Sequence, residues 1–241
     1  EVIVDDTTST VGEFAFVHSP KLTKVHLGQK VKKIGAEAFC GCTSLVDINF
    51  PNTLESIGKN AFYQTGLTEV ILPPSVQYVW EGAFRMSHIK KIVFSSAQKI
   101  IDEFTCASCS NLEEVIIPEG VDLIKFNAFN GCVNLCKIEL PNTLKTISES
   151  AFRSCAALTS INTKEVGRIC GNAFDYCMSL VDVEIPHVVS ISQRAFAYCT
   201  ALREITIPET CVSMGQDVFA GCNNSLVVSY YPEAAKCSSG I

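Results

Sequence analysis

The sequence predicts a right-handed solenoid of about ten coils, each 22–23 residues long, with short parallel β-strands on one face and turns with short helical or 3₁₀ segments on the other. Three observations predict it. An Ala-Phe pair, or a close variant, returns at a nearly constant interval along the chain. Within every interval the same order of apolar and polar positions recurs, usually punctuated by proline. A small residue, most often cysteine, follows the Phe position by three.

The interval sets the register of everything else. Phe16, Phe39, Phe62, Phe84, Cys106, Phe129, Phe152, Phe174, Phe196 and Phe219 fill the Phe position, in steps of 23, 23, 22, 22, 23, 23, 22, 22 and 23 residues. A period this steady marks stacked repeats, and its length lies in the range of leucine-rich repeats. One such coil cannot bury its own apolar face, whereas stacked coils cover one another. The chain is therefore expected to form a single domain over 1–241, with a partial repeat or cap at about 1–20 and a cap or stub at about 223–241.

The segment 45–62, LVDINFPNTLESIGKNAF, shows the order within a coil. Leu45, Ile48 and Phe50 are apolar while Asp47 and Asn49 are polar, the alternation of a short strand with one buried face. Pro51 follows, matched by Pro73, Pro118, Pro141, Pro186 and Pro208. A residue without an N–H cannot extend a parallel ladder, so proline ends the strand. A second apolar pair comes next: Leu54 and Ile57, then Val76/Val79, Val121/Ile124, Leu144/Ile147 and Val166/Ile169 in other coils. A turn leads to Ala-Phe and a tight helical or 3₁₀ return. Burying one Phe gains about 1.5–3 kcal/mol, so the Phe column should supply much of the cohesion. At about 4.8 Å per strand, ten coils span roughly 45–50 Å.

Thirteen cysteines are too many to ignore. Seven of them, Cys42, Cys109, Cys132, Cys155, Cys177, Cys199 and Cys222, stand three residues after the Phe position; Ser19, Thr65 and Ser87 stand there in other coils. That interchange indicates a small inward-turned ladder residue, and a free thiol there acts as a small hydrophobe with a weak donor. Cys106 fills the Phe position, so the C-x-x-C at 106–109 is a coincidence of two positions; a redox pair would open a helix with a lowered thiol pKa. Cys211 replaces the Leu of the second pair and should be buried. Cys40, Cys136, Cys170 and Cys237 lie off the buried columns, where exposure is open to them. His18, His26, His88 and His187 are scattered, and zinc needs four converging ligands; no metal or cofactor is expected. Ladder thiols of adjacent coils would lie within disulfide reach, so their number favours a reducing cytoplasm or an anaerobic habitat.

The string LPNTLKTISESAFRSCAALTSI at 140–161 closely resembles the BspA-type leucine-rich repeat, which joins an L-x-x-I-x-L-P strand to an I-x-x-x-A-F-x-x-C return. The resemblance runs from about residue 4 to 228. Two units depart from it: 94–109 lacks both proline and Phe, and 162–170 lacks the proline, so local irregularity is expected at both. The resemblance implies cell-surface or secreted proteins that bind or adhere to host matrix proteins, cell surfaces or other microbes. It brings no catalytic motif and no fixed ligand residues. A cytoplasmic scaffold, or an accessory array of a larger protein, is the alternative.

The strand alternation says which residues face out. One outward column reads Lys24, Asp47, Glu69, Lys91, Glu114, Lys137, Ser160, Asp182, Glu204; the other reads His26, Asn49, Ile71, Val93, Ile116, Glu139, Asn162, Glu184, Thr206. The charges of the first alternate along Glu69, Lys91, Glu114 and Lys137, which suits a solvated sheet held in register. The second breaks its polar pattern at Ile71, Val93 and Ile116. Strand propensity alone would favour such β-branched residues, but a contiguous exposed apolar patch also marks interaction sites. Ile71, Val93 and Ile116, with Lys91, Glu114 and Lys137 beside them, are the candidate partner-binding surface. Asp182, Glu184 and Glu204 make the far end acidic, suited to a basic partner or a divalent cation.

Composition excludes other classes. Hydrophobic residues make up 47% and charged residues 18%, so a packed core is expected. A net charge of −6 argues against nucleic acid or an anionic membrane as the main partner. No run approaches the roughly 18–20 apolar residues of a membrane span, and residues 1–20 lack the pattern of a secretory leader. No nucleophile, metal-protease or phosphate-loop motif occurs, so no enzyme is expected. The one N-x-[ST] sequence, at Asn223, falls in a single unit and carries little weight.

Overall fold

The computed structural model describes residues 1–231; Cys237 and the rest of the expected C-terminal cap beyond Tyr231 lie outside the described residues. The strands fall into two columns. The first holds Val2–Val4, Lys24–Leu27, Asp47–Ile48, Glu69–Ile71, Lys91–Val93, Glu114–Ile116, Lys137–Glu139, Ser160–Asn162, Asp182–Glu184, Glu204–Ile207 and Val227–Tyr230. Its side chains alternate between core and solvent as the sequence requires. Paired strands run parallel, with Val70 beside Ile92 and Ile92 beside Val115 inside, and Ile71, Val93 and Ile116 in line outside. The result is a parallel β-solenoid of about ten turns.

The second apolar pair is also a strand, which the sequence analysis did not anticipate. Thr10–Val11, Lys33–Ile34, Ser56–Ile57 and Tyr78–Val79 form one parallel ladder, and Ile100–Ile101 through Ser213–Met214 form another. Each such strand has only two residues, too short for alternation to announce it. The residue that ends the first strand also shapes the link between the two. Its carbonyl accepts a turn-closing bond, Leu54 N–H to Pro51 O at 2.9 Å and Val76 N–H to Pro73 O at 3.1 Å. Ser95 does the same for Gln98 at 3.1 Å, so the unit without proline keeps its turn. The second ladder is nevertheless interrupted at this divergent unit, between Tyr78–Val79 and Ile100–Ile101. At the unit 162–170 it is the first sheet that opens, between Lys137–Glu139 and Ser160–Asn162.

The expected helical return does not form: the described residues contain no helix. In every coil the residues two before and two after the Phe position have positive φ, as at Glu37 (53°) and Gly41 (72°) or Ser150 (56°) and Ser154 (60°). A left-handed residue every four positions is incompatible with a helix. Such residues are costly outside glycine, and the cost is offset by bonds to the next coil. The N–H groups of Glu37, Phe39 and Gly41 donate to the carbonyls of Lys59, Ala61 and Tyr63, each at 2.8 Å. The N–H groups between them close turns within the coil, Cys40 to Glu37 O and Cys42 to Phe39 O at 3.1 Å. This third side is thus a hydrogen-bonded ladder built from turns.

Between the three ladders lies the core. Phe39, Phe62, Phe84, Phe129, Phe152, Phe174 and Phe196 are fully buried. Successive rings stack with centroids 5.3–6.0 Å apart and planes within 13°. The column is interrupted at Cys106, which is fully buried. Phe50 touches the ring of its own coil, Phe62, at 5.7 Å. Phe94, in the equivalent place, instead reaches Phe129 one coil farther on, edge to face at 6.3 Å. It leans into the room that the missing ring leaves.

Candidate functional site

The ladder thiols carry backbone bonding. Cys109 Sγ donates to Phe84 O at 3.0 Å, Cys132 to Cys106 O at 3.1 Å and Cys155 to Phe129 O at 3.3 Å. Cys42, Cys177, Cys199 and Cys222 do the same, each to the carbonyl at the Phe position of the preceding coil. Ser87 Oγ takes the same role toward Phe62 O at 2.6 Å. Burial pushes up the thiols of Cys42, Cys132, Cys199 and Cys222, raises Cys177 to about 12, and holds Cys155 well above the ordinary thiol value. A protonated, inward-pointing S–H is a structural donor and a poor nucleophile. Eleven of the described cysteines, the seven ladder thiols among them, are free. Cys211 is buried, Cys136 exposed and Cys170 half-buried. Cys40, off the inner columns, is also buried; it sits between the larger Val17 and Tyr63 at the equivalent place of adjacent coils, and stacking shields a small side chain there.

The outer face of the first sheet places the candidate residues together. Ile71, Val93 and Ile116 are side by side on three hydrogen-bonded strands, with Ile71 57% and Ile116 38% exposed and Val93 half-buried between them. Lys91, Glu114 and Lys137 run alongside. Glu114 receives Lys137 Nζ at 2.6 Å and Lys91 Nζ at 3.2 Å; these two bonds, Lys137 first, hold its carboxyl below the ordinary range. Lys24 pairs with Asp47 at 2.8 Å in the same column. Glu69 lies in register with Lys91, but the ammonium turns to Glu114. On one flank the patch ends at Glu139, in register with Ile116. Near the other, the Asn49 side chain bonds both Leu27 N–H (2.7 Å) and Leu27 O (2.8 Å), continuing a ladder whose strand has ended.

At the acidic end the first sheet opens again: Asp182–Glu184 and Glu204–Ile207 belong to separate ladders. A cleft of about 610 Å³ lies there, lined by Asp182, Glu184, Glu204, His187 and Tyr231 among others. Glu184 is paired with Lys164 at 3.1 Å. Among the described residues no three His, Cys, Asp or Glu side chains are grouped to hold a metal. Alternation showed the acidic column, but an opening between strands leaves no trace in it.

Two further features escaped the sequence analysis. Asp175, 1% exposed, lies between Arg153 Nε at 3.3 Å and Arg194 Nη2 at 3.6 Å; burial raises its pKa and the two arginines oppose the rise. Tyr78 and Trp80 stand half-exposed on the outer face of the second sheet with rings 5.9 Å apart. Their signal was legible in the repeat, because Trp80 follows Gly12, Gly35 and Gly58 at one coil position.

The sequence profile of the BspA type Leucine rich repeat region matches six copies, over residues 9–135 and 99–226. A leucine-rich repeat protein from Bacteroides ovatus is similar in structure, with TM-score 0.65 and 23% identity, covering 95% of this chain and 74% of that one. The T. pallidum leucine-rich repeat protein TpLRR aligns with TM-score 0.53 and 26% identity, over 73% of this chain and 72% of its own. The pneumococcal vaccine antigen PcpA aligns with TM-score 0.53 and 17% identity, over 95% and 78%. No curated protein matches significantly. Repeats of this class are generally non-catalytic binding modules and typically bind proteins. Among the described residues no helix is long and apolar enough to cross a membrane.

Proposed function

The chain belongs to the BspA-type leucine-rich repeat family, and we propose that it is a non-catalytic adhesion module at a cell surface, binding a host or neighbouring-cell protein through the outer face of its first sheet. The observation that carries this reading is the unbroken row Ile71–Val93–Ile116, apolar where alternation calls for polar residues, with Ile71 and Ile116 exposed and Val93 half-buried between them. Lys91, Glu114 and Lys137 form the charged margin. An apolar centre with a polar rim is the usual anatomy of a protein interface, and most of the binding energy comes from a few central residues. A second reading, an intracellular scaffold using the same face, draws its support from eleven free thiols, which persist most readily in a reducing compartment.

The test is capture of host matrix and surface proteins on the immobilised chain, repeated with Val93→Glu. A charge at the centre of the row should weaken binding about tenfold or more, some 1.4 kcal/mol, without lowering the melting temperature. Binding that survives the substitution would remove the row from the interface. Biotinylation of intact cells separates the two locations: labelling places the protein outside.

A further inference from the structure

We propose that the outer face of the second sheet carries a separate binding site, a groove at Trp80 that holds a neutral oligosaccharide. It is independent of the reading given to the first sheet. The groove has a volume of about 520 Å³, within the usual range of ligand pockets. It spans four coils, from Thr10 to Glu81, about 14 Å at one strand spacing per coil.

Packing explains the floor. A Cβ on Gly35 or Gly58 would lie 2.6 Å from backbone of the neighbouring coil, so these two coils have no room for a side chain there. The bare column leaves a trough. Packing does not explain the wall. Later coils put Asp102, Lys125, Ser148, Cys170, Ser192 and Gly215 where Trp80 stands, yet this coil carries the single tryptophan of the chain, 50% exposed. Tyr78 lies nearly parallel to it, 17° between planes, which braces the indole before any ligand arrives and lowers the cost of ordering it.

The lining decides the chemistry of the occupant. Glu13, Lys33, Lys59 and Glu81 balance in charge, and Lys59 is already bound to Glu81 at 2.8 Å. Such a lining does not steer an ion, but it offers donors and acceptors, as do the hydroxyls of Thr10 and Ser56. An aromatic wall beside a neutral polar margin complements a pyranose, whose C–H face packs on a ring while its equatorial hydroxyls form hydrogen bonds.

Because Trp80 is the only tryptophan, its emission reports occupancy directly. A panel of neutral oligosaccharides, including cellohexaose, xylohexaose and chitohexaose, is titrated to about 10 mM, above the millimolar range of weak sites, with calorimetry for the variants. At least one member should change the emission saturably. Trp80→Leu should weaken it at least about tenfold and Trp80→Tyr by no more than about threefold. Ser56→Tyr, which copies the residue of the next coil at the same position, should fill the trough and also weaken binding about tenfold. The proposal is overturned if no member of the panel binds, if Trp80→Leu binds as the parent does, or if heparin, tested alongside, binds more tightly than every neutral sugar.

Discussion

Truncating Phe129 to Ala tests the physical basis of the fold most directly. The ring is fully buried, stacked on Phe152 at 5.3 Å and 6°, and touched edge-on by Phe94 at 6.3 Å. Its other neighbour in the column is the small Cys106, so truncation joins a void to an already reduced site. The coils cannot close it, because backbone bonds on this side fix their spacing: Cys106 N–H to Ala128 O and Phe129 N–H to Ala151 O, both 2.8 Å. The cost should therefore reach the full range for a buried Phe, about 3–5 kcal/mol. With about 2.1 cal/mol/K of unfolding entropy per residue, the chain carries roughly 0.5 kcal/mol/K, so the melting temperature should fall by about 6–10 °C. Thermal melts and urea titrations followed by circular dichroism measure it. Phe16, half-buried at the start of the column with one stacked partner, is the control, and Phe16→Ala should lose less than half as much. A Phe129→Ala shift under about 2 °C, or one no larger than that of Phe16→Ala, would refute the coupled column.

Two other outcomes follow from the same geometry. Cys106→Phe restores the repeat consensus, yet it should destabilise by about 1–3 kcal/mol, since Phe94 occupies that room; adding Phe94→Leu, as at Leu72 and Leu140, should recover the loss in urea titrations, and a stabilised single variant would count against the displaced ring. In native chain at about pH 8, a thiol with a pKa near 12, as at Cys177, is ionised to roughly one part in ten thousand. Peptide mapping after brief alkylation should find Cys136 modified and Cys155 and Cys177 intact, with all of them modified in guanidinium; comparable native labelling would disprove the buried ladder.

The repeat made most of the core legible. A period of 22–23 assigned Phe39, Leu45, Ile57 and Cys42 their inward positions, and the structure buries these four. The outward columns were equally readable, since alternation alone places Ile71, Val93 and Ile116 on one face. Three things were not. The strand Ser56–Ile57 is too short for alternation to reveal. The exchange of partner by Phe94 depends on a residue twelve positions away. Cys40 is covered by the coils before and after it, which no local pattern records.

The amino-acid order by itself determined the coil length, the inward and outward positions and the family, because stacking repeats the same contact at every turn and writes it into the chain as a period. Tertiary structure alone decided the path of the return. Ala-Phe-x-x-Cys is locally compatible with a helical turn, but a helix would spend its N–H groups on itself. The next coil lies one strand spacing away and offers carbonyls at Lys59, Ala61 and Tyr63, and reaching them forces Glu37 and its equivalents into left-handed conformations. That choice depends on a neighbour 22 or 23 residues distant, and no window shorter than a coil contains it.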